Sequence, residues 1–460
     1  MLNILSGYLL CLLPPPLLKI WERVNSSVLG KRLARGAFWT LVGTVLSRGL
    51  NMAAMICVAR TLGGEQFGQL GIVQSSVMML QTLAGFGLGW AATKYVAEFR
   101  QRDPARAGRI ISLCNLAGVV TGGFVTLVFF LTAPWLSTHA LGAPHLTRPL
   151  QVGSLILFAA TIVGTQSGIL SGFEAFKSMA WIGAISGLLS VPFIVGGTLY
   201  WGVEGAVWGM IASQVLNCFL NHRCMISRAR SAGIPISWSR SWEERRILWD
   251  FSLPAILGGT FYNFGSWFCS AMLVNRPGGF VEMGYFNAAN QWFSALLFLP
   301  GVLGQATIPV LAERLGAKDT DRAGKVLLYS CRLNAAIILP VVVLGSLFSQ
   351  SIMKLYGGGF GSGWATLVFT LIAAGIAAVQ APPAQIISAA GRMWMATVMN
   401  LSWALVYVAL TAVLIEFGSL GLAIGRMVGY CFYAIWSFWF ACSLLRGARC
   451  FSPNNDILGA

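Results

Sequence analysis

The sequence predicts an all-α integral membrane protein with about twelve transmembrane helices, arranged as two parallel six-helix repeats around a central cavity. Only 10% of the 460 residues are charged and 56% are hydrophobic, whereas a soluble domain carries about 25% charged residues. The apolar stretches extend over about 20 residues or more, which is the length an α-helix needs to cross a bilayer. Short alternating segments, which would indicate a β-barrel, are not seen. An internal repeat, described below, provides the third observation.

The apolar stretches define the individual spans and the organisation of the chain. The predicted domains are an interfacial or cytoplasmic segment (1–35), a first six-helix bundle (36–224), a basic cytoplasmic linker (225–249), a second six-helix bundle (250–445) and a cytoplasmic tail (446–460). Residues 1–18 are apolar but lack a basic flank, so they fit neither a cleaved signal nor a span. The candidate spans are 37–59, 69–93, 110–134, 150–171, 179–200, 204–222, 251–273, 285–309, 328–349, 364–387, 394–415 and 420–443.

The positions of the basic residues predict the orientation in the membrane. If the N-terminus is cytoplasmic, most of the 31 Lys and Arg residues fall in cytoplasmic segments, and the outside carries only Arg60, Arg148, Arg276 and Lys354. This asymmetry follows the positive-inside rule and places both termini in the cytoplasm. Basic loops beside an anionic inner leaflet also account for the net charge of +16 without a nucleic-acid partner.

An internal repeat relates the two halves at one constant offset, which is the separation in sequence between Gly68 and Gly284. At this offset the loop at 102–110 matches the loop at 318–326 in its charged and small residues. Six spans separate the matches, and because this number is even, the halves share one orientation. Such repeats are frequent in secondary transporters, with the substrate site at their interface. Further matches are Thr44 with Thr260, Gln74 with Asn290, Gly202 with Gly418, Gly205 with Gly421 and Gly209 with Gly425.

Polar residues within the spans are the candidates for a substrate-binding cavity. They follow one face of the first two spans of each half, and polar side chains inside a membrane usually face a cavity. The alternative is that they join neighbouring helices by hydrogen bonds. The candidates are Ser47, Arg48, Asn51, Gln74, Gln81, Tyr262, Asn263, Asn287, Asn290, Gln291 and Arg426.

Arg48 is the most specific of these candidates. It lies near the middle of the first span, where an arginine costs roughly 2.5–3.5 kcal/mol on insertion scales, and no Asp or Glu lies near the middle of a span to neutralise it. A guanidinium in a cavity suits phosphate or carboxylate because its donors form a bidentate fork. Backbone carbonyls could instead satisfy it as a structural residue. Arg426 lies close enough to the outer face to extend its charge to the interface.

The sequence favours a transporter over an enzyme or a metalloprotein. No Cys/His spacing indicates a metal site, and the ten cysteines fit apolar packing. We therefore expect no catalytic residues, metal or cofactor. A membrane-embedded sugar polymerase or ligase would need catalytic groups in a sizeable outer loop, and 135–149 offers only His139, His145 and Arg148.

Five segments together resemble one known family. VARTLGGEQFGQLGIVQS (58–75) is similar to the first span, outer turn and second span of bacterial polysaccharide-unit flippases of the multidrug/oligosaccharidyl-lipid/polysaccharide exporter superfamily. The resemblance covers about residues 33–445 and is strongest in the first half. The remaining segments are WAATKYVAEFR (90–100), DPARAGR (103–109), LSGFEAFK (170–177) and GVEGAVWG (202–209).

The resemblance implies two bundles that form a V around a cationic cavity in the bacterial inner membrane. The implied activity is flipping of an undecaprenyl-diphosphate-linked oligosaccharide from the cytoplasmic to the periplasmic leaflet by alternating access, for surface polysaccharide biosynthesis. Arg48 would meet the diphosphate or an acidic sugar, and the Asn and Gln side chains would meet sugar hydroxyls. We expect a monomer surrounded by membrane lipids, with polysaccharide polymerase machinery as a partner. The related multidrug and toxin exporters and a passive scramblase remain alternatives.

Overall fold

The computed structural model describes residues 28–236, 241–244, 246–317 and 319–450, and every regular element in them is helical. The prediction of an all-α membrane protein is confirmed. Short 3-10 and π helices complete the turns at 136–146, 241–244, 358–363 and 415–417. The predicted tail from 451 and the segment 1–27 lie outside the described residues. The α-helices are α1 (Val28–Gly85), α2 (Leu88–Arg102), α3 (Pro104–Trp135), α4 (Thr147–Gly172), α5 (Phe176–Ser231), α6 (Arg246–Val274), α7 (Gly279–Leu296), α8 (Phe298–Gly316), α9 (Thr320–Leu347), α10 (Ser349–Lys354), α11 (Trp364–Ala389), α12 (Met393–Leu414) and α13 (Ser419–Cys450).

Eight helical segments among the described residues are long and apolar enough to cross a membrane. One of them, Phe176–Ser231, has 56 residues and would be about 84 Å long at 1.5 Å per residue, far beyond the roughly 30 Å of a bilayer core. This length is divided by a break at Trp201 and Gly202, and α1 is broken in the same way at Gly63. The breaks fall between the first and second and between the fifth and sixth predicted spans.

The backbone repeats the same features at the predicted offset. Gly202 has φ 57° and ψ −132°, and Gly418 has φ 62° and ψ −136°. Asp103 and Asp319 each begin a helix by accepting a hydrogen bond from the backbone N–H three residues later, at 2.9 and 3.1 Å. Such caps satisfy N–H groups that have no partner within the helix. Equivalent positions therefore carry the same local structure in both halves.

The two halves meet where equivalent residues touch each other. A Cβ built on Gly68 would lie 1.7 Å from the Phe280 carbonyl oxygen and 2.9 Å from the Gly284 nitrogen, and one on Gly71 would lie 2.9 Å from Asn287 Nδ2. Gly68 matches Gly284 and Gly71 matches Asn287 at the repeat offset. The axis that relates the halves therefore passes between the second part of α1 and α7, which are in backbone contact.

The turns of both halves pack together at one end of the molecule, here called the Gly63 end. There Arg60 Nε donates to the Leu355 carbonyl at 2.6 Å, and Asn275 Nδ2 donates to the Ala140 carbonyl at 2.7 Å. Both bonds join the first half to the second. Together with the close contact at Gly68, they seal the two halves against each other at this end.

The opposite end, here called the Arg106 end, holds the connection between the halves. Arg106 makes paired hydrogen bonds of 3.0 Å to the Glu244 carboxylate and lies 4.2 Å above the Phe99 ring. The hydrogen bonds that Arg106 donates to Glu244 raise the pKa of its guanidinium above the usual value. Gly108 packs against the backbone of Pro235. These contacts hold the connection against the start of α3.

Helix α5 continues into the segment predicted as a linker. The predicted sixth span ends at 222 and the predicted linker begins at 225, but α5 extends to Ser231. Its last turns carry exposed arginines, and Arg228 donates to Ser178 Oγ at 2.8 Å. Loss of hydrophobicity therefore marks the end of the membrane span and not the end of the helix. Gly233, with φ 65°, lies just beyond the end of the helix.

Candidate substrate-binding site between the two halves

The first part of α1 has two exposed faces of different character. At 3.6 residues per turn, Arg48 and Asn51 lie on the side of the helix opposite to its apolar exposed face, and both are exposed. An apolar exposed face suits lipid, so the polar face is directed into the interior of the molecule. The apolar face consists of Val42, Leu46, Gly49, Ala53 and Cys57.

Arg48 connects the two halves. Its Nη1 donates to the Ser294 carbonyl at 2.9 Å, and its guanidinium carbon lies 5.0 Å from the centre of the Phe298 ring. Ser294 is near the end of α7 in the second half and is itself exposed. A guanidinium has five N–H donors, and this is the one hydrogen bond that Arg48 makes with described residues. Its other donors are available to an anionic ligand.

The second part of α1 is mostly buried, with one exposed strip. Met78 and Gln81 are exposed and lie one turn apart, and Met78 follows Gly71, which contacts the second half, by two turns. Gln74 lies on the same strip but is half-buried, and its Nε2 is 3.6 Å from Met210 Sδ within the first half. Gln81 is therefore accessible, whereas Gln74 packs against α5.

Two hydrogen bonds join α1 to α6 across the halves. Asn263 Nδ2 donates to Thr82 Oγ1 at 2.7 Å, and Trp267 Nε1 donates to Ser76 Oγ at 2.9 Å. Asn287 is buried against Gly71 of the other half, and its Nδ2 has no hydrogen-bond partner in the part of the chain that the structure describes. These side chains hold the halves together, as the helix-contact alternative predicts.

The other candidates pack within one half. Tyr356 Oη donates to Gln291 Oε1 at 3.2 Å, and the Tyr262 hydroxyl lies 3.0 Å from that of Tyr430. Ser47 packs against Gly187 of α5. Arg426 is 6% exposed inside the second half and donates to Asn290 Oδ1 at 2.9 Å. The structure thus exposes Arg48, Asn51 and Gln81, and it encloses the remaining candidates to varying degrees.

Sequence reasoning missed several partners of these residues. Phe298 contacts Arg48 and Thr82 contacts Asn263 across the halves, and no local pattern indicates which residues of two distant helices will meet. Tyr430 is different, because it follows Arg426 by four residues and so lies on the same helix face. That spacing could have identified it.

A cavity of about 950 Å³ lies elsewhere, within the first half. It is bounded by α3, α4 and α5 near the Arg106 end, and Asn115, Gln166, His222 and Arg230 are its main polar residues. None of the candidates from the sequence lines it. The face of α4 that lines this cavity is opposite to the one that packs on α1 and α2, so the cavity lies at the periphery of the first half.

Comparisons with known proteins identify the family. Residues 33–315 match the family described as "Polysaccharide biosynthesis protein", which is more than half of the chain. The chain belongs to this family. Residues 254–414 also match the family described as "MatE". The two matches together extend over both halves.

Similar proteins are named as transporters. The "EPS I polysaccharide export inner membrane protein EpsE" of Ralstonia nicotianae is 23% identical over 428 residues, covering 91% of this chain and 93% of that protein. The "Lipid III flippase" of Escherichia coli is 24% identical over 185 residues, covering 35% of this chain and 44% of that protein.

The fold is also known from solved structures. The inward-facing conformation of a multidrug resistance MATE family transporter of the MOP superfamily matches with a TM-score of 0.74 at 18% identity, covering 90% of this chain and 99% of that one. This likeness shows the fold over most of the chain, and the family match and the curated relatives support a multi-pass inner membrane transporter rather than an enzyme.

Proposed function

We propose that this protein flips an undecaprenyl-diphosphate-linked oligosaccharide across the inner membrane, from the cytoplasmic to the periplasmic leaflet. The observation that supports this most is the exposed guanidinium of Arg48 on the inward face of α1. It has one hydrogen bond with described residues, and a diphosphate offers the oxygen acceptors that match its remaining donors. The polysaccharide export name of the Ralstonia relative points to the same class of cargo.

Asn51 and Gln81 supply neutral polar groups in the same half as this charge. Both are exposed, and their side-chain amides offer donors and acceptors of the kind that sugar hydroxyls bind. Met78, one turn before Gln81, adds an exposed apolar surface. A cationic residue with amides in the same half fits a ligand with an anionic link and a neutral glycan better than it fits a hydrophobic cation.

The seal at the Gly63 end supports alternating access. The basic segments lie at the Arg106 end, which we assign to the cytoplasm on the positive-inside rule. The Gly63 end is then periplasmic and closed, so the exposed residues between the halves would be reached from the cytoplasmic side. Transport requires the contacts around Gly68 to separate and the halves to close at the Arg106 end.

The test uses a strain of the source bacterium that lacks the gene. We expect lipid-linked oligosaccharide to accumulate and surface polysaccharide to disappear, and wild-type protein to restore both. Arg48→Ala removes charge-assisted hydrogen bonds of about 1.5–3 kcal/mol, which corresponds to roughly tenfold to hundredfold weaker binding. Arg48→Ala should therefore fail to restore export at equal expression. Arg332→Ala, which removes an exposed arginine of α9, should restore it.

The outcomes separate the parts of the proposal. Full restoration by Arg48→Ala would make Arg48 a structural bridge to Ser294 and leave flipping itself intact. If deletion changes neither the lipid-linked intermediate nor surface polysaccharide, the flippase proposal fails.

Drug export is the second candidate, because residues 254–414 match the MatE family. Its expected result is a deletion strain with normal surface polysaccharide and increased sensitivity to cationic drugs. The same strain therefore distinguishes the two functions.

A further inference from the structure

Arg426 lies in a buried aromatic enclosure that the first half does not share. Its guanidinium carbon is 3.6 Å from the centre of the Phe293 ring and 5.7 Å from that of Phe286. The side chain is 6% exposed. Tyr262, Tyr407 and Tyr430 surround the charge, and Trp403 stacks on Tyr262 with ring centres 4.6 Å apart.

The repeat shows that the fold does not require this arrangement. At the repeat offset, Arg426 matches Met210 and Asn290 matches Gln74, and these two residues also touch, with Nε2 3.6 Å from Sδ. The same contact is thus neutral in the first half and charged in the second. The surrounding aromatic residues are replaced as well. Leu46, Leu70, Val77, Gly187 and Gln214 match Tyr262, Phe286, Phe293, Trp403 and Tyr430.

The enclosure holds a positive charge without a negative partner. In the part of the chain that the structure describes, no carboxylate forms a salt bridge with Arg426; the ion pairs there involve Arg100, Arg106, Arg109 and Arg322. A buried ion is strongly unfavourable unless it is paired. The aromatic faces compensate for only part of this penalty. An anion beside the guanidinium would neutralise the charge.

Hydrogen-bond donors are in excess around the same segment of α13. Arg426 has five N–H donors, of which one bonds to Asn290 Oδ1 and another interacts with the Tyr262 hydroxyl. Among the described residues, Trp403 Nε1 and Thr411 Oγ1 have no hydrogen-bond partner, although they are 1% and 0% exposed. A Cβ on Gly429 or Gly425 would lie 3.2 or 3.3 Å from these atoms, so both lie within one turn of Arg426. Unpaired buried donors of this kind require an acceptor.

We propose that Arg426, with the hydroxyl and indole donors around it, forms a buried site for a monovalent halide, which in the cell is chloride. A halide accepts hydrogen bonds without donating any, carries the missing charge and needs less room than phosphate. Its desolvation is less costly than that of a carboxylate, and the aromatic walls exclude competing water. The site lies in the second half and is separate from the exposed residues proposed to bind the oligosaccharide.

The site is connected to the contact between the halves. Asn290 binds Arg426, and its backbone carbonyl accepts from Ser294 Oγ at 3.0 Å, one turn further along α7. The Ser294 carbonyl in turn accepts from Arg48. A bound halide therefore fixes the segment of α7 to which Arg48 is attached, and transport is expected to depend on halide concentration.

The test measures halide binding by the purified full chain in detergent, so it does not depend on the proposed transport function. Thermal unfolding is followed in chloride, bromide and gluconate at equal ionic strength. A ligand that binds only the folded protein raises Tm with its concentration, so we expect a saturable rise of several degrees in both halides. Arg426→Met, which copies Met210, should lose this rise, and the matched control Arg332→Met should retain it.

Crystals grown in bromide provide the second measurement. Anomalous diffraction should show a peak beside the Arg426 guanidinium, and this result does not require any variant to fold. Tyr262→Phe, which keeps the ring and removes the hydroxyl, should weaken the halide effect. The proposal is overturned if wild-type Tm is the same in all three salts and no peak is seen. It is also overturned if Arg426→Met keeps the halide effect or if Arg48→Met alone abolishes it.

Discussion

Gly68 offers the sharpest test of how the halves are joined. It lies in the second part of α1, where it faces α7 at the axis between the repeats. A Cβ at this position would lie 1.7 Å from the Phe280 carbonyl oxygen. Real Cβ contacts are essentially never shorter than 3.0 Å, so Gly68→Ala must displace one of the two helices. The obstructing atoms are backbone, so no side chain can rotate away.

The expected free-energy change follows from two opposing effects. Overpacking of a close contact costs about 1–3 kcal/mol, and a clash against backbone belongs at the upper end of that range. Replacing glycine with alanine inside a helix recovers about 0.5–1 kcal/mol. The net loss is about 2 kcal/mol, which lowers Tm by about 2 °C in a chain of this size.

Gly64→Ala is the matched control. It lies one turn before Gly68 on the same face, but its Cβ would be 3.5 Å from Val281 Cγ1, an ordinary contact. We expect this variant to unfold at the wild-type temperature or slightly above it. Thermal unfolding of both proteins in the same detergent gives the comparison. Equal stability of the two variants would show that α1 and α7 do not touch at Gly68 and would refute the seal at the Gly63 end.

Two further predictions concern the connection between the halves and the repeated turns. Arg106→Ala removes the paired hydrogen bonds to Glu244, so limited proteolysis of 234–244 should become several-fold faster. Arg102→Ala, which removes an exposed arginine, should leave the rate unchanged. Equal rates for the two variants would show that these hydrogen bonds do not hold the connection in place. Gly202→Ala should cost about 1–3 kcal/mol, because its positive φ with ψ −132° is strained for other residues. Gly418→Ala should lower Tm more than Gly202→Ala, because its Cβ would also lie 2.8 Å from the Glu282 carboxylate, which accepts a hydrogen bond from the Ser419 N–H. A smaller decrease in Tm for Gly418→Ala than for Gly202→Ala would contradict this packing.

The sequence alone was sufficient for the fold class and for the repeat. Low charge and long apolar stretches leave helices as the only regular structure with satisfied backbone groups in lipid. The repeated glycines and Asp caps can be recognised in the sequence because local backbone geometry requires these residue types, and this geometry depends on few neighbours. Gly202 and Gly418 illustrate this, since they match in sequence and adopt nearly the same dihedral angles.

The contacts that each polar residue makes could not be predicted in the same way. Asn287, Asn290 and Gln291 share one stripe of α7, but they contact Gly71 of the other half, Arg426 and Tyr356, respectively. Periodicity shows which residues share a face of their own helix. It contains no information on which helix packs against that face, and this decides between cavity and contact.

The distribution of exposed polar groups shows that the two related halves have diverged in their roles. Arg48, Asn51 and Gln81, which are exposed, belong to the first half. In the second half Tyr262, Asn290 and Gln291 are used in hydrogen bonds to Tyr430, Arg426 and Tyr356. Because a bonded polar group must lose its partner before it binds a ligand, the first half is better prepared to hold substrate. The second half presents the Ser294 carbonyl to Arg48, and its polar and aromatic interior holds this segment of α7 in place. Substitutions in that interior should therefore change stability and the coupling between the halves more than they change the affinity for substrate.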